Sequence, residues 1–167
     1  MSTEQELKTE KELQLEEFLK IKDYNGDVVY TTTKEELEDV LMSVLATGSF
    51  TKTFDLFNNK ISLTYESISQ EDRMKGYKFM SKYTEEHKDI SKIEYDSYMA
   101  NISIALQLIR VSINKNVTNI SQGELSDRLL LLSKTPEDQI RLYSKYLSIF
   151  ANITAKAFAS EDVLKNS

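Results

Sequence analysis

Only one histidine occurs in the 167 residues, and there is no cysteine. His87 sits in the polar stretch Thr84-Glu85-Glu86-His87-Lys88. A Glu-x-His pair can ligate a metal, and an imidazole can act as a general base. A zinc site, however, needs three or four protein ligands. With no second histidine and no thiol, an exposed linker histidine accounts for His87 better than a ligand does.

Carboxylates occur as the pairs Glu35/Glu36, Glu38/Asp39, Glu71/Asp72, Glu85/Glu86 and Glu137/Asp138. Paired acids can divide general acid and base roles when burial separates their pKa values. Three of these pairs fall at expected helix starts, where the helix dipole favours negative charge. No apolar pocket signature surrounds any of them. Asp23-Tyr24-Asn25-Gly26-Asp27 faintly resembles a calcium loop, but its Gly register and the absent later Glu do not fit one. It reads as a turn. No G-x-S-x-G, Walker A, G-x-G-x-x-G or H-E-x-x-H motif is present.

Arg73, Lys75, Lys78, Lys82, Lys88 and Lys92 are interleaved with Tyr77, Phe79 and Tyr83. Bases with aromatics can form a nucleic-acid face. The same pattern also describes the solvated side of an amphipathic helix whose aromatics turn inward. Four Asn-x-Ser/Thr triplets, at Asn101, Asn116, Asn119 and Asn152, read as chance matches in a chain rich in those residues.

The elements follow from periodicity and caps. Residues 4–21 read as a Glu/Lys-rich helix, and Val28–Thr32 as an extended β-branched segment. Thr33-Lys34-Glu35-Glu36 reads as a capping box opening a helix with a stripe of Leu37, Val40, Leu41, Val44 and Leu45, ended by Gly48. Phe50, Phe54 and Leu56, then Ile61, Leu63 and Tyr65, alternate with polar residues around Asn58-Asn59 as a β-hairpin. A lone ribbon is barely stable in water. It must lie on helices, pair with 28–32, or pair with another chain.

Ser69 caps the next helix, in which Gly76 costs roughly 1 kcal/mol unless close packing requires it. Residues 84–94 read as a linker, and Tyr95–Ile113 as a central helix that is apolar on several sides. Asn114–Ile120 reads as a loop. Ser121-Gln122-Gly123-Glu124 reads as a second capping box. Thr135-Pro136-Glu137-Asp138 opens a last helix whose inner face is Ile140, Tyr143, Leu147, Phe150, Ala151, Thr154 and Phe158.

The expected fold is therefore mainly α (α+β): a helical bundle of about five to six helices with one small antiparallel β-hairpin or short sheet. The expected division is an acidic helical arm at 1–22, one α-rich domain at 23–159 with the hairpin at 50–66, and a frayed tail at 160–167. One proline and four glycines suit helices better than a β-sandwich. Without cysteine there are no disulfides, zinc ribbons, iron–sulfur clusters or thiol nucleophiles. The polar, acidic N-terminus lacks a signal-peptide pattern, and the longest apolar stretch is too short to span a bilayer.

The net charge is −6. Residues 1–40 hold twelve acids and five bases, whereas the remainder holds fifteen and sixteen, so the arm carries the acidity. That arm disfavours phosphate backbones and acidic membranes. The expectation is a protein partner, with neither nucleic acid nor membrane, and with self-association as a further option. No cofactor and no metal is expected.

The block Phe54-Asp55-Leu56-Phe57-Asn58-Asn59-Lys60-Ile61-Ser62-Leu63-Thr64-Tyr65-Glu66-Ser67-Ile68-Ser69-Gln70-Glu71-Asp72 joins a short hairpin to a Ser-Ile-Ser-x-Glu-Asp helix entry. With the helical remainder and the Asp127–Leu132, Thr135–Asp138 and Tyr143–Leu147 runs, it resembles bacteriophage tail assembly chaperones and small tail or baseplate proteins. The resemblance covers about residues 50–150. It implies a noncatalytic protein in a host cytoplasm, with incorporation into the virion as an option, that binds tail-tube, tape-measure or baseplate subunits. Candidate contacts are Phe50, Phe54, Leu56, Phe57, Asn58 and Asn59 of the hairpin, with Glu12, Glu16 and Glu17 of the arm. The alternative is an acidic inhibitor or mimic whose arm binds a basic host protein.

Overall fold

A computed structural model describes residues 9–159. Residues 1–8 of the expected arm and the expected frayed tail at 160–167 lie outside them. The described chain runs α1 (Glu10–Leu19), β1 (Lys20–Lys22), β2 (Val28–Thr31), α2 (Lys34–Thr47), β3 (Thr51–Leu56), β4 (Ile61–Glu66), α3 (Gln70–Glu86), α4 (Lys92–Gln107), β5 (Leu108–Ile113), β6 (Asn116–Asn119), α5 (Leu125–Ser133) and α6 (Glu137–Ala159). The strands form two antiparallel sheets, β1-β2 and β3-β4-β5-β6. The fold is thus α+β. The expected, mainly helical bundle with one hairpin or short sheet is incorrect, because six strands in two sheets stand beside the six helices.

One stretch accounts for most of the difference. The run from Tyr95 to Ile113 carries apolar residues on several sides, the pattern of a single buried helix. The helix in fact stops at Gln107, and Leu108-Ile109-Arg110-Val111-Ser112-Ile113 continues as a strand. Its alternation and β-branched residues suit a pleated surface, and pairing with β4 decides the matter: Leu63 lies opposite Val111 and Ile61 opposite Ile113. The expected 114–120 loop is then a two-residue turn leading into β6, which pairs Val111 with Thr118. The hairpin therefore obtains its needed support from β5, and not from residues 28–32.

Those residues pair with β1 instead, Ile21 lying opposite Tyr30. Ile21, expected at the end of a helix, is a buried strand residue. The turn between the two strands is as expected. Gly26 has φ +83°, and the Asp23 carboxylate accepts from the Asn25 and Asp27 amides at 2.9 and 3.0 Å. That carboxylate is committed to its own turn, and no cluster of metal-ligating side chains occurs among the described residues.

Helix ends follow local chemistry with small shifts. Thr33 and Ser69 accept from the Glu36 and Asp72 amides at 3.1 Å, as N-caps should. Gly48 ends α2 in left-handed geometry, φ 80° and ψ 0°. Helix α5 begins three residues later than expected: Glu124, not Ser121, is its N-cap, and its amide donates to the Asp127 carboxylate at 3.1 Å. The linker expected at 84–94 is shorter, because α3 reaches Glu86 and α4 starts at Lys92.

The core lies between the inner face of the large sheet and α2, α4 and α6. Phe54, Leu63, Tyr65, Leu108 and Val111 meet Leu37, Val40, Ile104, Phe150 and Ile153 there, all buried. On α6 the buried face includes Ile149, Ile153 and Ala157, whereas Ala151 and Phe158, expected to point inward, are exposed. Tyr65 donates its buried hydroxyl to the Tyr143 carbonyl at 2.7 Å. Gly76 is buried where α3 crosses α4; a Cβ there would lie 3.1 Å from Leu106 Cδ1 and 3.2 Å from Ile102 Cγ2. Close packing is therefore what offsets its helical cost.

Candidate functional site

The two turns at one end of the large sheet hold every non-glycine residue with positive φ among the described residues. These are Phe57, Asn58 and Asn59 at 52°, 54° and 65°, and Asn114 and Lys115 at 47° and 67°. Left-handed geometry at both central residues matches the twist of a tight antiparallel hairpin, and asparagine tolerates it better than most residues. The pairs Leu56–Ile61 and Ile113–Asn116 close the two loops. The Asn114 amide donates to the Lys60 carbonyl at 2.8 Å, which ties one tip to the other.

The hairpin candidates separate into two groups. Phe50 stacks on Phe150 with centroids 5.8 Å apart. Phe54 is buried against Tyr30, Tyr65 and Tyr146. Leu56 packs on the core. These three hold the sheet to the helices, because strand alternation turns their face inward. Phe57, by contrast, is 68% exposed at the tip, and Asn58 and Asn59 are exposed beside it. The end of β5–β6 adds exposed Ile113 and Val117. Sequence reasoning misses that second tip, because residues 114–120 read as a loop.

The arm candidates lie on α1, which buries none of its residues. Glu12 is engaged in a capping box with Thr9, accepting from the Thr9 amide at 2.8 Å. Glu17 pairs with Lys20 and Lys22, and their hydrogen bonds hold its carboxyl below the usual range. Glu16 is exposed. The acidity of α1 is therefore partly answered within the chain.

Behind the hairpin is a polar cluster that sequence reasoning assigns to capping alone. The Glu36 carboxylate, instead of closing a box on Thr33, accepts from the Tyr30 hydroxyl at 3.0 Å, the Thr32 hydroxyl at 2.9 Å and the Lys52 ammonium at 3.1 Å. Lys52 also lies over the Phe54 ring, 5.1 Å from its centroid. Burial works against the Lys52 charge, but Glu36 and Tyr30 beside it more than offset this, and its pKa rises above the ordinary lysine value. Burial pushes the Tyr30 phenol up. The cluster joins β2, α2 and β3, and so fixes the strand that carries the tip.

His87 ends α3, stacked on Tyr83 at 4.1 Å, which stacks on Tyr98 at 3.9 Å. Phe79 also stacks toward Tyr98. Phe79 and Tyr83 thus turn toward α4, away from the exposed bases, and Lys75 pairs with Glu71 and Asp72. Tyr77 is the aromatic of that helix left exposed. No helix among the described residues is long and apolar enough to cross a membrane. Compared with known proteins, the chain matches no protein family, no curated protein and no solved structure.

Proposed function

We propose that the chain is a noncatalytic protein-binding component, a bacteriophage tail assembly chaperone or a small tail or baseplate accessory protein, which contacts its partner through the joined hairpin tips. The observation that carries the protein-binding part of this reading is Phe57, a large aromatic exposed in left-handed backbone; the phage assignment rests on the resemblance of residues 50–150. That conformation costs a non-glycine residue about 1–2 kcal/mol. Strained backbone persists where the surroundings enforce it and is concentrated at functional sites, while aromatic anchors dominate binding energy at interfaces. Asn58, Asn59 and Asn114 around it supply amides for a polar rim. The acidic-arm alternative has less support, because Lys20 and Lys22 already answer Glu17.

The test is co-expression of the full chain with the tail-tube, tape-measure or baseplate subunits encoded beside it, followed by affinity capture and gel filtration. A stoichiometric complex that Phe57→Gly disrupts while the variant stays folded is the expected result. A chain that remains alone in the presence of those subunits, or a complex indifferent to Phe57→Gly, contradicts the reading.

A further inference from the structure

Separate from the hairpin tips, two depressions of about 160 and 310 Å³ adjoin each other between the α3–α4 pair and the C-terminal half of α6. Ile68, Arg73 and Gln107 line both. The first is walled by Tyr77, Ile102 and Leu106, and the second by Phe150, Ala155 and Phe158. Together they form a groove with apolar side chains toward each end and with Arg73 and Gln107, beside Ile68, where the two meet. Arg73 is exposed and Gln107 part-exposed, and among the described residues neither side chain has a hydrogen-bond or ion-pair partner within the protein. The hydroxyls nearby are occupied: Ser103 and Thr154 donate to the carbonyls of Met99 and Phe150.

We propose that this groove binds a short peptide segment of a partner protein, in which an acidic side chain is flanked on both sides by apolar ones. The carboxylate pairs with the planar fork of Arg73, the geometry that guanidinium recognises best. The two apolar side chains enter the two depressions. Gln107, both donor and acceptor, meets the peptide backbone between them. Two shallow depressions that meet at Arg73 and Gln107 suit side chains hung from a backbone, and not one continuous acyl chain.

The experiment pans a ribosome-displayed random dodecapeptide library against the full chain. One enriched peptide is then synthesised with a fluorescein label and titrated by anisotropy. The enriched peptides are expected to carry Asp or Glu between apolar residues. Arg73→Glu is expected to weaken binding tenfold or more, the scale of a lost charge-assisted hydrogen bond. Arg73→Lys retains part of the affinity, Ala155→Trp blocks binding by filling the second depression, and Phe57→Gly leaves binding unchanged. Failure of any peptide to enrich, enrichment without acidic residues, or wild-type affinity in Arg73→Glu overturns the proposal. So does concentration-dependent dimerisation of the chain that Arg73→Glu abolishes, because the groove would then belong to a second copy.

Discussion

Replacing Glu36 by leucine removes the carboxylate that three donors share. The Thr32 hydroxyl, 1% exposed, loses its acceptor, which costs roughly 1–3 kcal/mol for a buried group. The Lys52 ammonium loses its counter-ion in a site where the two side chains are 19% and 21% exposed. That cost lies between the ~1 kcal/mol ceiling of a surface pair and the ~3–5 kcal/mol of breaking a buried one. Tyr30 is half-buried and recovers water as a partner. Together these give about 3 kcal/mol, which at a urea slope near 2 kcal/mol/M moves the unfolding midpoint down by about 1.5 M. Lys52→Met in the same background should return part of the loss, with a coupling energy of about 1–2 kcal/mol. The assay is urea unfolding of the wild type, both single variants and the double variant. A loss below about 1 kcal/mol in Glu36→Leu, or strictly additive variants, would show that the cluster behaves as a solvated surface pair.

Phe57→Gly relieves left-handed strain, so stability should hold or rise by about 0.5–1 kcal/mol, read as Tm, even as partner capture is lost; a fall in Tm would mean that the aromatic is structural. Gly76→Val should destabilise by about 2 kcal/mol, because even its Cβ crowds Leu106 and Ile102, and a neutral result in chemical denaturation would show that α3 can move off α4. Stability should fall as pH rises above about 10: burial raises the Tyr30, Tyr65, Tyr98 and Tyr143 phenols, and Glu36 and Tyr30 outweigh burial in raising Lys52. Groups with raised folded pKa contribute fully below their unfolded values, about 10 for phenols and 10.4 for lysine, and lose that contribution as pH climbs through the folded ones. Equal Tm at about pH 8 and pH 11 would contradict it.

The features that residue order alone determines are the local ones. Thr33 and Ser69 cap helices because a short hydroxyl before a helical run can satisfy an orphan amide within three residues. Gly48 and Gly26 sit where positive φ is needed, and Asn58-Asn59 turns the hairpin. For the same reason the exposed tip, Phe57 with its two asparagines, is legible in the residue order itself.

Tertiary structure decided the rest. Leu108–Ile113 satisfies helical and strand patterns about equally as an isolated string, and only the ladder offered by β4 makes it a strand and turns a bundle into an α+β fold. The same pairing brings the Asn114–Lys115 turn beside Lys60 and builds the second tip, which no local signal announces. Phe50, Phe54 and Leu56 share a parity that would suit contact residues, yet packing against α6 and its neighbours consumes them. Glu36 has the spacing of half a capping box, and Lys52, sixteen residues away, turns its carboxylate to a different task. Capping, turns and parity act within a few residues and are written in order. Strand pairing, ion pairing and groove formation join residues distant in sequence, and become visible only once the chain has closed on itself.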